Sequence, residues 1–110
     1  MMANYAVGDI QGCFKEFKEG LELINFKSSK DFLWITGDLI NRGPESLKVL
    51  EYVFKIKNSV HIVLGNHDLH YLNCFFNKKN LSDEDTFQSQ MFHKKSLKMA
   101  KFLLQQPFVF

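Results

Sequence analysis

The 110 residues carry 14 basic and 12 acidic side chains, a net charge of +2, with 45% hydrophobic residues and 12 Phe. That length allows a single domain with a modest core, and the apolar share argues against disorder. The near-balanced charge gives no argument for a nucleic-acid or membrane-surface partner, and no apolar run is long enough to span a membrane.

Met1-Met2-Ala3-Asn4-Tyr5 has neither a basic n-region nor a long apolar segment. Cys13 and Cys74 match no zinc spacing and no disulfide framework. A cytoplasmic protein is the expectation, with Cys13 a small buried residue. Tyr5-Ala6-Val7 reads as a strand ended by Gly8-Asp9, and Phe14, Phe17, Leu21 and Ile24 then follow the spacing of one helix face. The same grammar repeats. Phe32-Leu33-Trp34-Ile35 runs into a loop from Gly37 to Gly43, and Pro44 precedes a helix through Leu47, Leu50, Val53 and Phe54. Val60-His61-Ile62-Val63-Leu64 predicts a strand buried on both faces, with His61 hydrogen-bonded in the core. Gly65-Asn66-His67 then leads into a helix carrying Leu69, Leu72, Phe75 and Phe76.

Asn77-Lys78-Lys79-Asn80 predicts a loop, and Ser82-Asp83-Glu84-Asp85 a capping box in preference to a metal cluster. Lys78-Lys79 and Lys94-Lys95 read as solvated faces, and His93 as exposed. Leu97, Ala100, Leu103 and Leu104 predict a last helix that Pro107 ends, and Phe108-Val109-Phe110 has the pattern of a strand just begun. Strands alternating with helices predict an α/β fold with a parallel sheet and right-handed crossovers, forming one domain over 1–110.

In a doubly wound sheet, ligands bind beyond the carboxyl ends of the strands. The blocks Gly8-Asp9-Ile10-Gln11-Gly12, Gly37-Asp38-Leu39-Ile40-Asn41-Arg42-Gly43 and Gly65-Asn66-His67-Asp68 all fall there. Each alone is more often a turn or a helix cap. Three in successive βα units predict that Asp9, Asp38 and Asn66 converge on one crevice, where hard oxygen ligands with an imidazole suit Mn²⁺, Fe, Mg²⁺ or Zn²⁺.

Taken in order, the blocks resemble the GDxHG, GDxxxRG and GNH[DE] motifs of the calcineurin-like metallophosphoesterase superfamily. GDIQGC, GDLINRGPESL and GNHDLH are similar, more narrowly, to the bacterial symmetrical diadenosine tetraphosphatases. The likeness runs from Tyr5 through Gln106-Pro107 and covers the N-terminal half of that family's αββα sandwich. It implies symmetrical hydrolysis of diadenosine tetraphosphate to two ADP at a two-metal site, with Mn or Co as the metal. It also implies Asp9 as a ligand of one metal, Asp38 as the bridging carboxylate and Asn66 as a ligand of the second. Arg42 would hold phosphate, the alternative being a surface ion pair. His67 would act as general acid on the leaving phosphate or stabilise charge beside it. Asp68 would cap or orient, and His70 would support the site or lie on a helix surface.

Two positions depart from the superfamily pattern. Gln11 stands in place of a metal-binding His, a common variant among the tetraphosphatases that leaves ligation by Gln11 open. Asn41 stands where related protein phosphatases carry an Asp that orients the general-acid His, which favours a nucleotide-polyphosphate substrate. The family completes its second metal with two histidines of the C-terminal half, and this chain stops before both. The expectation is therefore double: a hydrolase acting on a dinucleoside polyphosphate, or a weakly active or inactive remnant that binds metal or nucleotide. Such a remnant would pair with a complementing C-terminal fragment or self-associate at its apolar edge.

Overall fold

A computed structural model describes residues 3–77 and 96–107. Strand β1 (Asn4–Val7) leads to helix α1 (Phe14–Leu23), β2 (Phe32–Ile35) to α2 (Ser46–Lys55), and β3 (Val60–Ile62) to α3 (Asn66–Asn77). A 3₁₀ turn (Lys57–Ser59) precedes β3, and α4 (Ser96–Leu104) closes the described chain. The expectations on Lys78-Lys79, Ser82 to Asp85, His93, Lys94-Lys95 and Phe108 to Phe110 lie outside the described residues. Asn77, expected in a loop, is the last residue of α3.

The sheet is parallel in the order β1-β2-β3, with Tyr5 opposite Leu33 and Leu33 opposite Val60. Successive right-handed crossovers in one direction put their helices on one face. Burial agrees with that geometry: Leu33, Ile35, Val60 and Ile62 are buried, while their neighbours Phe32, Trp34 and His61 on the opposite face are not. The expected strand buried on both faces is thus half right. His61 is exposed, stacked 4.6 Å from Phe32 and 4.5 Å from Trp34 by ring centroids. The physical reason is the two-residue period of a strand whose helices, among the described residues, cover one side.

That covered side is the core. Phe17 and Leu21 of α1, and Val49, Leu50 and Val53 of α2, are buried against the sheet-facing cluster. Each such side chain contributes roughly 1.5–3 kcal/mol on leaving water. In α4 the buried residues are Met99, Ala100, Phe102 and Leu103, whereas Leu97 and Leu104 are 50% and 58% exposed. Phe102 meets Phe54 edge-on at 5.2 Å, which sets the rotation of α4 against α2. After α4 the Pro107 carbonyl accepts the Leu64 N–H at 2.9 Å.

Helix α1 ends in a left-handed turn. Asn25 has φ 58, the Phe26 N–H reaches the Leu21 carbonyl at 2.9 Å, and the Asn25 N–H reaches Glu22 at 3.0 Å. This is a Schellman closure with Asn in the usual glycine position, and it leaves Ile24 exposed instead of on the buried face. At the amino ends of the strands, buried Asp31 accepts the N–H groups of Lys27 and Ala3 at 2.9 and 3.2 Å, joining the entries to β1 and β2.

Candidate functional site

All three blocks lie beyond the carboxyl ends of the strands, because each strand is followed directly by its loop. The first two loops continue the parallel pairing that the strands begin. Asp9 N–H donates to the Gly37 carbonyl at 3.3 Å, Gln11 N–H to Asp38 at 2.8 Å, and Gly12 N–H to Leu39 at 2.9 Å. Loop 2 answers with Gly43 N–H to Gln11 at 2.6 Å and Glu45 N–H to Gly12 at 2.9 Å. Leu39 and Ile40, both wholly buried, anchor it in the core.

The third block is tied to the second by side chains. Asp38 Oδ1 accepts the His67 N–H at 3.0 Å, at the start of α3. Asp68 Oδ1 accepts the Leu39 N–H at 2.9 Å, and its Oδ2 accepts the Gly65 N–H at 3.0 Å. Asp68 therefore orients both loops, as expected. It is wholly buried, and burial pushes its carboxyl up to about 6, against the pull of the Gly65 and Leu39 N–H groups and with help from the charge of Asp38.

Space between the loops is set by glycine. A Cβ on Gly65 would collide with Asp38 Oδ1 and stand 2.5 Å from the Asp38 nitrogen. Among the described residues six non-glycine positions have positive φ, and five of them are Asp9, Gln11, Asp38, Asn41 and Arg42. Backbone strain concentrated in this way is characteristic of sites whose surroundings over-determine the conformation.

Asp9, Arg42 and Asn66 are exposed, and Gln11, Asp38 and His67 are half-buried. Cys13, expected to be buried, is half-exposed beside the Gln11 carbonyl, 3.7 Å from its Sγ. The two cysteines are unbonded to each other. His70 is half-buried with its ring nitrogens 3.8 and 3.9 Å from Cys74 Sγ. Asn41 is 2% exposed; its Nδ2 lies 3.2 Å from His67 Nδ1, and its own N–H is held by Ser46 Oγ at 2.9 Å. Ser46, Leu39 and Ile40 are the residues that sequence reasoning missed. Their signal was present as an apolar pair between two polar loop residues and a hydroxyl at the helix start.

Among the described residues, no three His, Cys, Asp or Glu side chains gather into a metal-binding group. The loops instead offer two carboxylates, Asp9 and Asp38, and two amides, Gln11 and Asn66. An oxygen donor set of this kind fits a hard divalent cation. A shallow groove of about 310 Å³ runs past Asp9, Gln11, Cys13 and Glu16. A groove of about 400 Å³ between Phe14, Tyr52 and Lys98 lies on the helical side, away from these residues. No helix among the described residues is long and apolar enough to cross a membrane.

Residues 5–103 match the calcineurin-like phosphoesterase family. The symmetrical bis(5'-nucleosyl)-tetraphosphatase of Neisseria meningitidis is 46% identical over 106 residues, 96% of this chain and 38% of that protein. The enzyme of the same name from Nitrosospira multiformis is 53% identical over 88 residues, 80% of this chain and 32% of that protein. This chain thus spans about a third of the length of the curated relatives it matches. A solved structure described as a candidate diadenosine tetraphosphatase superposes with a TM-score of 0.70 at 25% identity, covering 96% of this chain and 47% of the other. A metallophosphoesterase from Sphaerobacter thermophilus shares the fold, with a TM-score of 0.67 at 18% identity over 94% of this chain and 40% of that one.

Proposed function

The chain belongs to the calcineurin-like phosphoesterase family, and on that premise we propose that it forms the N-terminal part of a hydrolase cleaving diadenosine tetraphosphate symmetrically into two ADP. The observation that carries this reading is the interlocking of three loops, with Asp38 joined through its backbone to Gln11 and through its carboxylate to His67. The narrowing to dinucleoside tetraphosphates is supported by relatives of that name, one 46% identical along 96% of this chain.

Calcineurin-like phosphoesterases use a divalent metal centre. Asp9, Gln11, Asp38 and Asn66 would hold the cations, Mn²⁺ or Co²⁺, which when bound supply Lewis acidity toward phosphate oxygens and a nucleophile at neutral pH. The chain's own residues do the rest. Arg42, carried on the loop with φ 66, presents a permanently charged planar fork that grips phosphate oxygens in pairs. His67 stands at the start of α3, where its ring meets Asn41 and its N–H meets Asp38, and it acts at the leaving phosphate. Asp68 keeps the second and third loops in register so that these groups address one substrate.

The test is release of ADP from diadenosine tetraphosphate, with Mn²⁺ or Co²⁺, by this chain and by the chain joined to the remaining two thirds of a relative. ADP as the sole product, lost on chelation and reduced by Arg42→Ala, is the expected result. ATP with AMP as products, or no metal-dependent turnover in either form, would overturn the reading. A second reading is favoured by the share of length covered: that the chain by itself binds metal or nucleotide without turnover. Calorimetric titrations showing neither binding event would sink it.

A further inference from the structure

A backbone N–H can only donate, and this orients the Asn41 amide. The Arg42 N–H lies 3.0 Å from Asn41 Oδ1, so the carboxamide oxygen faces the loop backbone. The amide nitrogen then faces His67, with Nδ2 placed 3.2 Å from Nδ1. A carboxamide nitrogen offers hydrogens and no usable lone pair, so Nδ1 must be the acceptor. A ring that accepts at Nδ1 carries its proton on Nε2.

We propose that Asn41 is a positioning residue that holds His67 as the Nε2-protonated tautomer, so that His67 stabilises the leaving phosphate as a hydrogen-bond donor and matches the site to phosphoanhydrides. The inference rests on the hydrolase reading above and specifies its leaving-group chemistry. Asn41 is well placed for this role. It is nearly sealed from solvent, its own N–H is held by Ser46, and its φ of 77 is one that Asn tolerates. A carboxylate at this position would accept Nδ1–H instead and reverse the tautomer.

The chemistry of the two leaving groups differs accordingly. In anhydride hydrolysis the water oxygen forms the new P–O bond, the bridging P–O bond breaks, and its electron pair stays on the departing diphosphate. The proton of the water passes to solvent. A terminal phosphate has a second pKa of about 6, so this group leaves as an anion and gains from a hydrogen bond without needing a proton. An alkoxide leaving from a phosphomonoester is far more basic and takes up a proton as it departs. A neutral Nε2–H serves the first case and serves the second poorly.

The deciding experiment is long-range ¹H–¹⁵N correlation on the labelled full chain at about pH 8.5, where an ordinary imidazole is neutral. His67→Gln assigns the signals by their loss. The expected pattern is a pyrrole-type Nε2 and a pyridine-type Nδ1 in the unaltered chain, exchanged in Asn41→Asp. Protonation at Nδ1 in the unaltered chain overturns the inference, and this readout needs neither a metal nor a substrate. Where turnover is measurable, Asn41→Asp should lower the ratio of anhydride to alkyl-phosphomonoester hydrolysis by about 100-fold, the lower end of a general-acid contribution. An unchanged ratio counts against the match to anhydrides. Absence of turnover both in this chain and in the chain joined to the rest of a relative overturns the hydrolase reading and with it that match, while the tautomer is still decided by the spectra.

Discussion

At the scale of single residues, Asp68 is a buried carboxylate that ties two loops together. Its two oxygens take one N–H from each of two loops, and burial raises its carboxyl from 3.8 to about 6. A raised carboxylate pKa means that the folded chain binds the proton more tightly than the unfolded chain. The stability Asp68 contributes is therefore greatest below about pH 4 and declines as pH rises to about 6, by about 3 kcal/mol for a shift of this size. Urea unfolding from pH 4 to 7 should show this decline in the unaltered chain, and the difference should vanish in Asp68→Asn. That substitution should also cost about 1–3 kcal/mol, since one of the two N–H groups would face an amide hydrogen. Parallel pH slopes in the two proteins would be the contrary result. The family resemblance implied that Asp68 caps or orients. It could not show that the partners would be Leu39 and Gly65.

Among the elements, the loops are held by close backbone approach, and glycine is where that approach can be tested. Ala at position 65 would set a Cβ 2.5 Å from the Asp38 nitrogen and 2.7 Å from its Cγ, so loop 2 or α3 must move. Gly65→Ala should cost about 1–3 kcal/mol in chemical unfolding and weaken any metal binding in parallel. Gly20, inside α1, meets nothing within 4 Å of an added Cβ. Gly20→Ala should stabilise by about 0.4–1 kcal/mol, through the unfolded chain and better helix propensity. If both substitutions moved stability in the same direction, close approach would not be the constraint at Gly65. The elements themselves were legible from spacing, since Phe17 with Leu21, and Leu50 with Val53, recur as a helix face must. The rotation of α4 was not legible, because a short apolar pattern permits two rotations, and the structure buries Phe102 against Phe54 while Leu97 and Leu104 are exposed.

For the whole molecule, the sheet is the asymmetric feature. Helices cover the face of Leu33 and Ile35, while Ala6, Trp34 and His61 stand on the other face, with Trp34 half-buried. Trp34 is the single tryptophan of the chain and reports directly on that face. A half-buried indole predicts an emission that iodide quenches less than free tryptophan and more than a wholly buried one. Complete shielding, or quenching as strong as that of free tryptophan, would contradict the expectation. The sequence alone determined the order of strands and helices and the three polar blocks at their junctions, because hydrophobic period and glycine turns are local properties. Tertiary structure decided that one sheet face is covered, that Asp68 ties two loops together and that the Asn41 amide faces His67. Those features depend on which groups meet across 26 or 29 positions of chain, and no local pattern encodes that meeting.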